Sequence, residues 1–134
     1  MIAKPPGFVN RSPRLLLQAE GLSVAAASVL AFHQSGASWW LFLSLILAPD
    51  LSIFFYLSGS RLGVAAYNAV HVYLGPLFLL CIATLSGAQT ACAIALIWSA
   101  HIGIDRALGF GLKYSDGFRF THLGCIGGPA MEKV

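Results

Sequence analysis

The chain has 134 residues, one domain's worth, of which 57% are hydrophobic and only 10% charged. Its mean hydropathy is +0.77; a soluble domain carries about a quarter charged residues, so this composition excludes a water-covered surface and points to lipid as the solvent. The net charge of +3 is spread over Lys4, Arg11, Arg14, Arg61, Arg106, Lys113, Arg119 and Lys133, between apolar runs, which excludes a phosphate-tracking groove and nucleic acid as a partner.

Residues 1–14 form a basic segment. The apolar run after it resembles a signal peptide, but Glu20 interrupts it and further apolar runs follow, so it reads as a retained spanning helix. Four such runs occur, at 15–33, 39–57, 62–85 and 88–108. Each has about 19 to 24 residues, the length a helix needs to cross roughly 30 Å of hydrocarbon. The links at 34–38, 58–61 and 86–87 are short, which forces antiparallel neighbours. The expectation is therefore an all-α fold: a four-helix transmembrane bundle over 15–108, up-down-up-down. Trp39 and Trp40 sit where an interfacial aromatic anchor belongs.

Lys and Arg occupy the N-terminal segment, the second link and the C-terminal part, and avoid the first and third links. By the positive-inside rule both termini are expected in the cytoplasm, with the basic loops facing anionic lipid. Residues 109–134 hold no run long enough to span. Gly109, Gly111, Gly117, Gly124, Gly127 and Gly128 predict an irregular Gly-rich cytoplasmic tail. Cys81, Cys92 and Cys125 show no CxxC spacing. Cys81 and Cys92 fall near the same end of a helical hairpin, where a disulfide is feasible, but the simpler reading is three unpaired thiols.

Polar groups inside the runs carry the functional signal, because a charged residue in a spanning helix costs about 2.5–3.5 kcal/mol on insertion scales. Glu20, Asp50, Asn68, His71, His101 and Asp105 all fall, at 1.5 Å per residue, in a layer roughly 5–14 Å inside the cytoplasmic boundary, with Arg106 at its edge. Asn68 and His71 are i, i+3, and His101 and Asp105 are i, i+4, so each pair shares a helix face. Pro49 and Pro76 each remove a backbone donor beside this layer, and such breaks persist in lipid only where other groups satisfy the freed carbonyls. The plain alternative is interhelical glue, worth about 0.6 kcal/mol per polar contact, and Asn68 alone reads that way.

Acids and imidazoles in low dielectric suit acid–base work, with Glu20 or Asp50 as acid or base, His71 and His101 as proton carriers and Asp105 orienting His101. The same groups, with the tail His122, are also acceptable ligands for a divalent metal, Asp50, His71, His101 and Asp105 foremost. No HExxH, CxxCH, P-loop or GxGxxG is present. Asn68, Arg106, Lys113 and His122 form a second, ligand-binding group, and the stretch 118–123 with Lys113 and Arg119 lies where an anionic head group would meet the mouth of the bundle.

Several runs taken together, Glu20-Gly-Leu, Ser38-Trp-Trp-Leu-Phe42, Leu47-Ala-Pro-Asp-Leu-Ser52, Tyr67-Asn-Ala-Val-His71, the stretch from His101 to Tyr114, and Phe120-Thr-His-Leu-Gly124, resemble the domain-of-unknown-function 4260 family of small bacterial membrane proteins. The resemblance covers most of the chain. It implies membrane residence and a bacterial source, hence a multi-pass protein of the inner membrane, and carries no catalytic assignment. Three functional readings follow: a membrane-embedded enzyme acting on a lipid-soluble small molecule by acid–base or metal-assisted chemistry; a proton-coupled carrier, which at this size needs a homo-dimer; and an accessory subunit of a larger membrane complex.

Overall fold

The structure is a computed structural model that describes residues 11–114 and 120–125. It is helical apart from one small hairpin. In chain order come α1 (Arg11–Gln34), α2 (Trp39–Leu45), a 3-10 helix (Ala48–Ser58), α3 (Ser60–Val70), α4 (Leu74–Ser86), α5 (Gln89–Leu108) and the strands β1 (Phe120–Thr121) and β2 (Gly124–Cys125). Three stretches are long and apolar enough to cross a membrane, Ser12–Gln34, Trp39–Ser58 and Gln89–Leu108. The pair α3 and α4, bent by 41°, makes a fourth if counted as one span. The outward faces are apolar, with Trp40, Leu57, Leu74 and Leu85 among the large exposed side chains, and these helices mark a multi-pass membrane protein.

Two of the four expected runs are broken, and proline sits at each break. In the second run α-helical pairing stops at Leu45 and tightens to a 3-10 helix with Pro49 in its first turn. The Asp50 N–H donates to Leu47 O at 3.1 Å instead of reaching back to Ile46. In the third run α3 ends at Val70, and Pro76 lies in the first turn of α4. The freed carbonyls there find side chains: the Trp98 indole donates to Val70 O at 2.7 Å and Arg106 to His71 O at 3.2 Å. Both partners come from α5. The helix break is thus closed by its neighbour, as a low-dielectric setting requires.

Packing depends on backbones coming close. α1 and α5 share the most extensive helix contact, along a seam of Gly21, Ala25, Ala100 and Gly103. A Cβ on Gly103 would lie 2.6 Å from Gly21 O and 2.7 Å from Ala25 N, and one on Gly21 would lie 2.4 Å from the Arg106 Cβ. Small residues at such a seam let dispersion hold helices together where lipid offers no hydrophobic drive. The Gln18 amide donates to Ala107 O at 3.2 Å near the end of the seam. At the opposite end of α5 the core is apolar: Phe32, Ala93 and Ile97 pack with Leu41, Phe42 and Ile46, and the rings of Phe32, Trp39 and Phe42 meet at 5.1–5.3 Å.

After α5, Gly109 takes φ +89° as the C-cap, and Phe110 N–H donates to Asp105 O at 2.7 Å. The described part of the tail is more ordered than its glycine content predicts. β1 and β2 pair antiparallel, Phe120 with Cys125 and Thr121 with Gly124, and Lys113 adds a bridge to Thr121. Cys81 and Cys92 are free thiols; the expectations for Lys4, Arg119 and Lys133 lie outside the described residues, as does that for the Cys125 thiol.

Candidate metal centre

Asp50, His71, His101 and Asp105 converge. One ligand atom from each lies within 4.8 Å of all the others, and the individual separations are tighter. His71 Nε2 is 3.2 Å from His101 Nε2, 3.3 Å from Asp50 Oδ1 and 3.5 Å from Asp105 Oδ2. His101 Nε2 is 3.3 Å from each of the same two carboxylate oxygens. These five separations can be compared with a tetrahedron. Ligands 2.0–2.1 Å from a central ion stand about 3.3–3.4 Å apart, which these five separations approach; the sixth, between the two carboxylate oxygens, is within 4.8 Å.

The imidazoles are fixed by the helix breaks just described. His71 is the C-cap of α3: its backbone N–H turns to Asn68 O, and its Nδ1 takes Tyr67 O at 2.8 Å. His101 Nδ1 lies 2.6 Å from Ile46 O, the carbonyl released where α2 gives way to the 3-10 helix. A carbonyl only accepts, so Nδ1 is the donor in both rings, and the neutral rings present the Nε2 lone pair to the centre. A ring N–H held by a backbone carbonyl is the usual outer support of a metal-bound histidine. Two lone pairs and two carboxylates facing one point call for a cation.

Around this centre the rings and tail are layered. Tyr67 stacks on His71, with centroids 3.8 Å apart and planes 9° from parallel, and the Lys113 ammonium lies 4.6 Å over the Tyr67 ring. Asn68 holds the tail: its amide donates to Lys113 O at 2.9 Å and accepts from Lys113 N–H at 2.8 Å. Leu112 N–H donates to His122 Nδ1 at 2.9 Å, and the Arg106 guanidinium lies 2.7 Å from His122 Nε2; a neutral imidazole accepts at one of its two ring nitrogens. Burial, with the Arg106 charge adding to it, holds His122 below the ordinary imidazole pKa. Burial likewise pulls Lys113 below the ordinary ammonium value, against the opposing pull of Asp105 and Asp50.

The family model described as "Domain of unknown function (DUF4260)" matches residues 14–126. The chain belongs to the DUF4260 family. Comparison with curated proteins and with solved structures finds no match. The matched DUF4260 segment contains all four converging residues together with Tyr67, Trp98, Arg106 and His122.

Glu20 requires a correction. It shares the depth of the layer but is exposed and outside the converging set. The neighbouring Gly21 is the residue that faces α5, and one step along a helix turns a side chain by about 100°. His122 is not among the converging ligands either; it contacts Arg106 and bonds the tail backbone. Asn68, expected as glue, is a tether between α3 and the tail. Arg106, expected in the ligand-binding group, donates to the His71 carbonyl. Sequence reasoning missed Tyr67 and Trp98. Tyr67 lies four residues before His71, the spacing that stacks two rings on one face, and Trp98 lies three before His101. The carbonyl of Ile46 leaves no trace in side-chain identity.

Proposed function

We propose that this DUF4260 protein is a membrane-embedded metalloenzyme whose ion is held by Asp50, His71, His101 and Asp105 and whose substrate is lipid-soluble. In this reading the chain crosses the bilayer four times, up-down-up-down, with α3 and α4 as one bent span. Both termini face the cytoplasm of a bacterial cell and the centre lies in the cytoplasmic half of its inner membrane. One observation carries the proposal: two imidazole nitrogens, aimed by backbone carbonyls, lie 3.2–3.5 Å from each other and from the same two carboxylate oxygens.

A divalent ion of the zinc group would supply Lewis acidity and lower the pKa of a bound water. The chain's own residues divide the remaining work. His71 and His101 are locked at Nδ1 and have no freedom to leave. The Asp50 side chain is 39% exposed against 16% for Asp105, so an incoming group would meet Asp50 first, and Asp50 would accept a proton from it. Asp105, one turn from His101, holds the centre closed from behind.

Elemental analysis of protein purified in mild detergent tests this. About one equivalent of a first-row divalent metal is expected in the parent. His101→Gln should weaken zinc binding at least 100-fold, beyond the 10–100-fold typical of losing an outer support. Asp50→Asn should keep the fold and weaken binding less. A parent that neither carries nor takes up metal sinks the reading. If its cluster then titrates between about pH 5 and 8, a proton relay takes its place.

A further inference from the structure

An apolar cleft opens beside the four ligands. It has a volume of about 200 Å³, and its walls include Leu45, Ala48, Pro49, Val70, Ile97 and Trp98. Pro49 immediately precedes Asp50, Val70 immediately precedes His71, and Ile97 is one turn before His101. The cleft is therefore walled by the same three segments that carry the ligands, though none of the four ligands lines it. On α5 it lies on the Gln89 side of His101, displaced by about 4.5–10.5 Å at 1.5 Å per residue from Trp98 to Ile94, toward the middle of the helix.

The walls are almost wholly apolar, and three of their polar groups are engaged or missing. The Trp98 N–H is taken by Val70 O, Pro49 has no N–H, and Pro49 O accepts the Ser52 hydroxyl at 2.8 Å. Such a slot favours an unsubstituted hydrocarbon chain and rejects a polar one.

Charge at the other end points the opposite way. Asp50 and Asp105 bring two negative charges. Arg106, bonded to His71 O, brings one positive charge, and Lys113, stacked through Tyr67 onto His71, brings up to one more. Glu20 stands outside this set. With a divalent ion bound, these described groups carry a net excess of one to two positive charges in a low dielectric, which an anionic oxygen group would neutralise.

We propose, resting on the metalloenzyme reading, that the substrate is an amphiphile with a carboxylate or phosphate head, the head at the four-ligand centre near Arg106 and Lys113 and the hydrocarbon chain in the cleft between Pro49, Val70, Ile97 and Trp98. The polar end near one membrane face with the chain toward the bilayer middle is the orientation that such a molecule already has in a leaflet. It needs no inversion to bind.

The experiment uses three diazirine-bearing probes of one chain length in phosphatidylcholine vesicles holding the full-length protein: a fatty acid, a lysophosphatidic acid and a fatty alcohol. Labelling of residues 45–50 and 94–98 by one or both anionic probes, at least tenfold above the alcohol, is expected; which acid labels tells carboxylate from phosphate. Filling the cleft by Ala48→Phe, or by Val70→Met should the first variant fold poorly, should cut that labelling at least tenfold while zinc content stays at the parent level. Equal labelling by alcohol and acids in zinc-loaded protein overturns the amphiphile alone, as does undiminished labelling in a zinc-loaded, cleft-filled variant. A parent without zinc overturns the metal reading and this one with it.

Discussion

The two ends of α5 are built on different physics. Near Gln89 the helix meets Phe32, Phe42 and Leu41 through ring edges and methyl groups, with no hydrogen bond between side chains in that core. Near Leu108 it is pinned by named atoms: Trp98 to Val70 O, His101 to Ile46 O, Arg106 to His71 O, and Gly103 against the α1 backbone. Dispersion contacts are individually small and tolerate rearrangement, whereas an orphaned polar group in hydrocarbon costs several kcal/mol. Adaptability therefore belongs to the apolar end and fixed geometry to the polar end. A metal centre needs the second.

Gly103→Leu should strike hardest. Its Cβ would meet backbone atoms of Gly21 and Ala25, not a side chain that can swing away. A loss of about 3 kcal/mol is expected, at the upper range of overpacking, read as a lowered unfolding midpoint in detergent. If Gly103→Leu proves neutral, close approach is not what fixes the polar end. Phe32→Ala should cost less, about 1–2 kcal/mol, below the 3–5 kcal/mol of a soluble core because lipid solvates the same atoms. Zinc affinity should stay within about threefold of the parent, and a larger fall would show that the two ends are coupled and collapse the contrast.

The smallest effect concerns pH. His122 is held neutral in the docked tail, with its pKa below that of the free ring near 6.5. The docked state thus binds fewer protons than the undocked one. Docking is at full strength above pH 6.5 and weakens as pH falls through and below that value. Hydrogen exchange of the Leu123 amide, corrected for intrinsic rate, should rise severalfold from pH 7.5 to 5.5 in the parent and not in His122→Gln. An equal rise in both would remove His122 as the cause.

Asp50, His71, His101 and Asp105 were legible in the sequence because depth along a helix is simple arithmetic and i, i+4 spacing fixes a shared face. Glu20 misled because depth says nothing about the angle around the axis; with Gly21 turned to α5, Glu20 is directed elsewhere. Pro49 and Pro76 announced breaks, but a proline shows only where a donor is lost. That Ile46 O would receive His101 and Val70 O would receive Trp98 depends on which helix lies across the gap, and no local pattern encodes that. The hairpin at Phe120–Thr121 and Gly124–Cys125 lay beneath a glycine count that suggested irregularity, since glycine reports freedom in the unfolded chain and not the pairing of its neighbours.

The carbonyls of Tyr67 and Ile46 do more than aim two rings. Each sits at a joint, one where α3 ends and one where α2 tightens, so the posture of each imidazole is tied to the bend of its segment. Straightening either joint would return the carbonyl to its own helix and let the ring turn. An ion gripping both rings would in effect set the angles of two hinges at once, so that occupancy of the centre becomes a shape the rest of the membrane can sense.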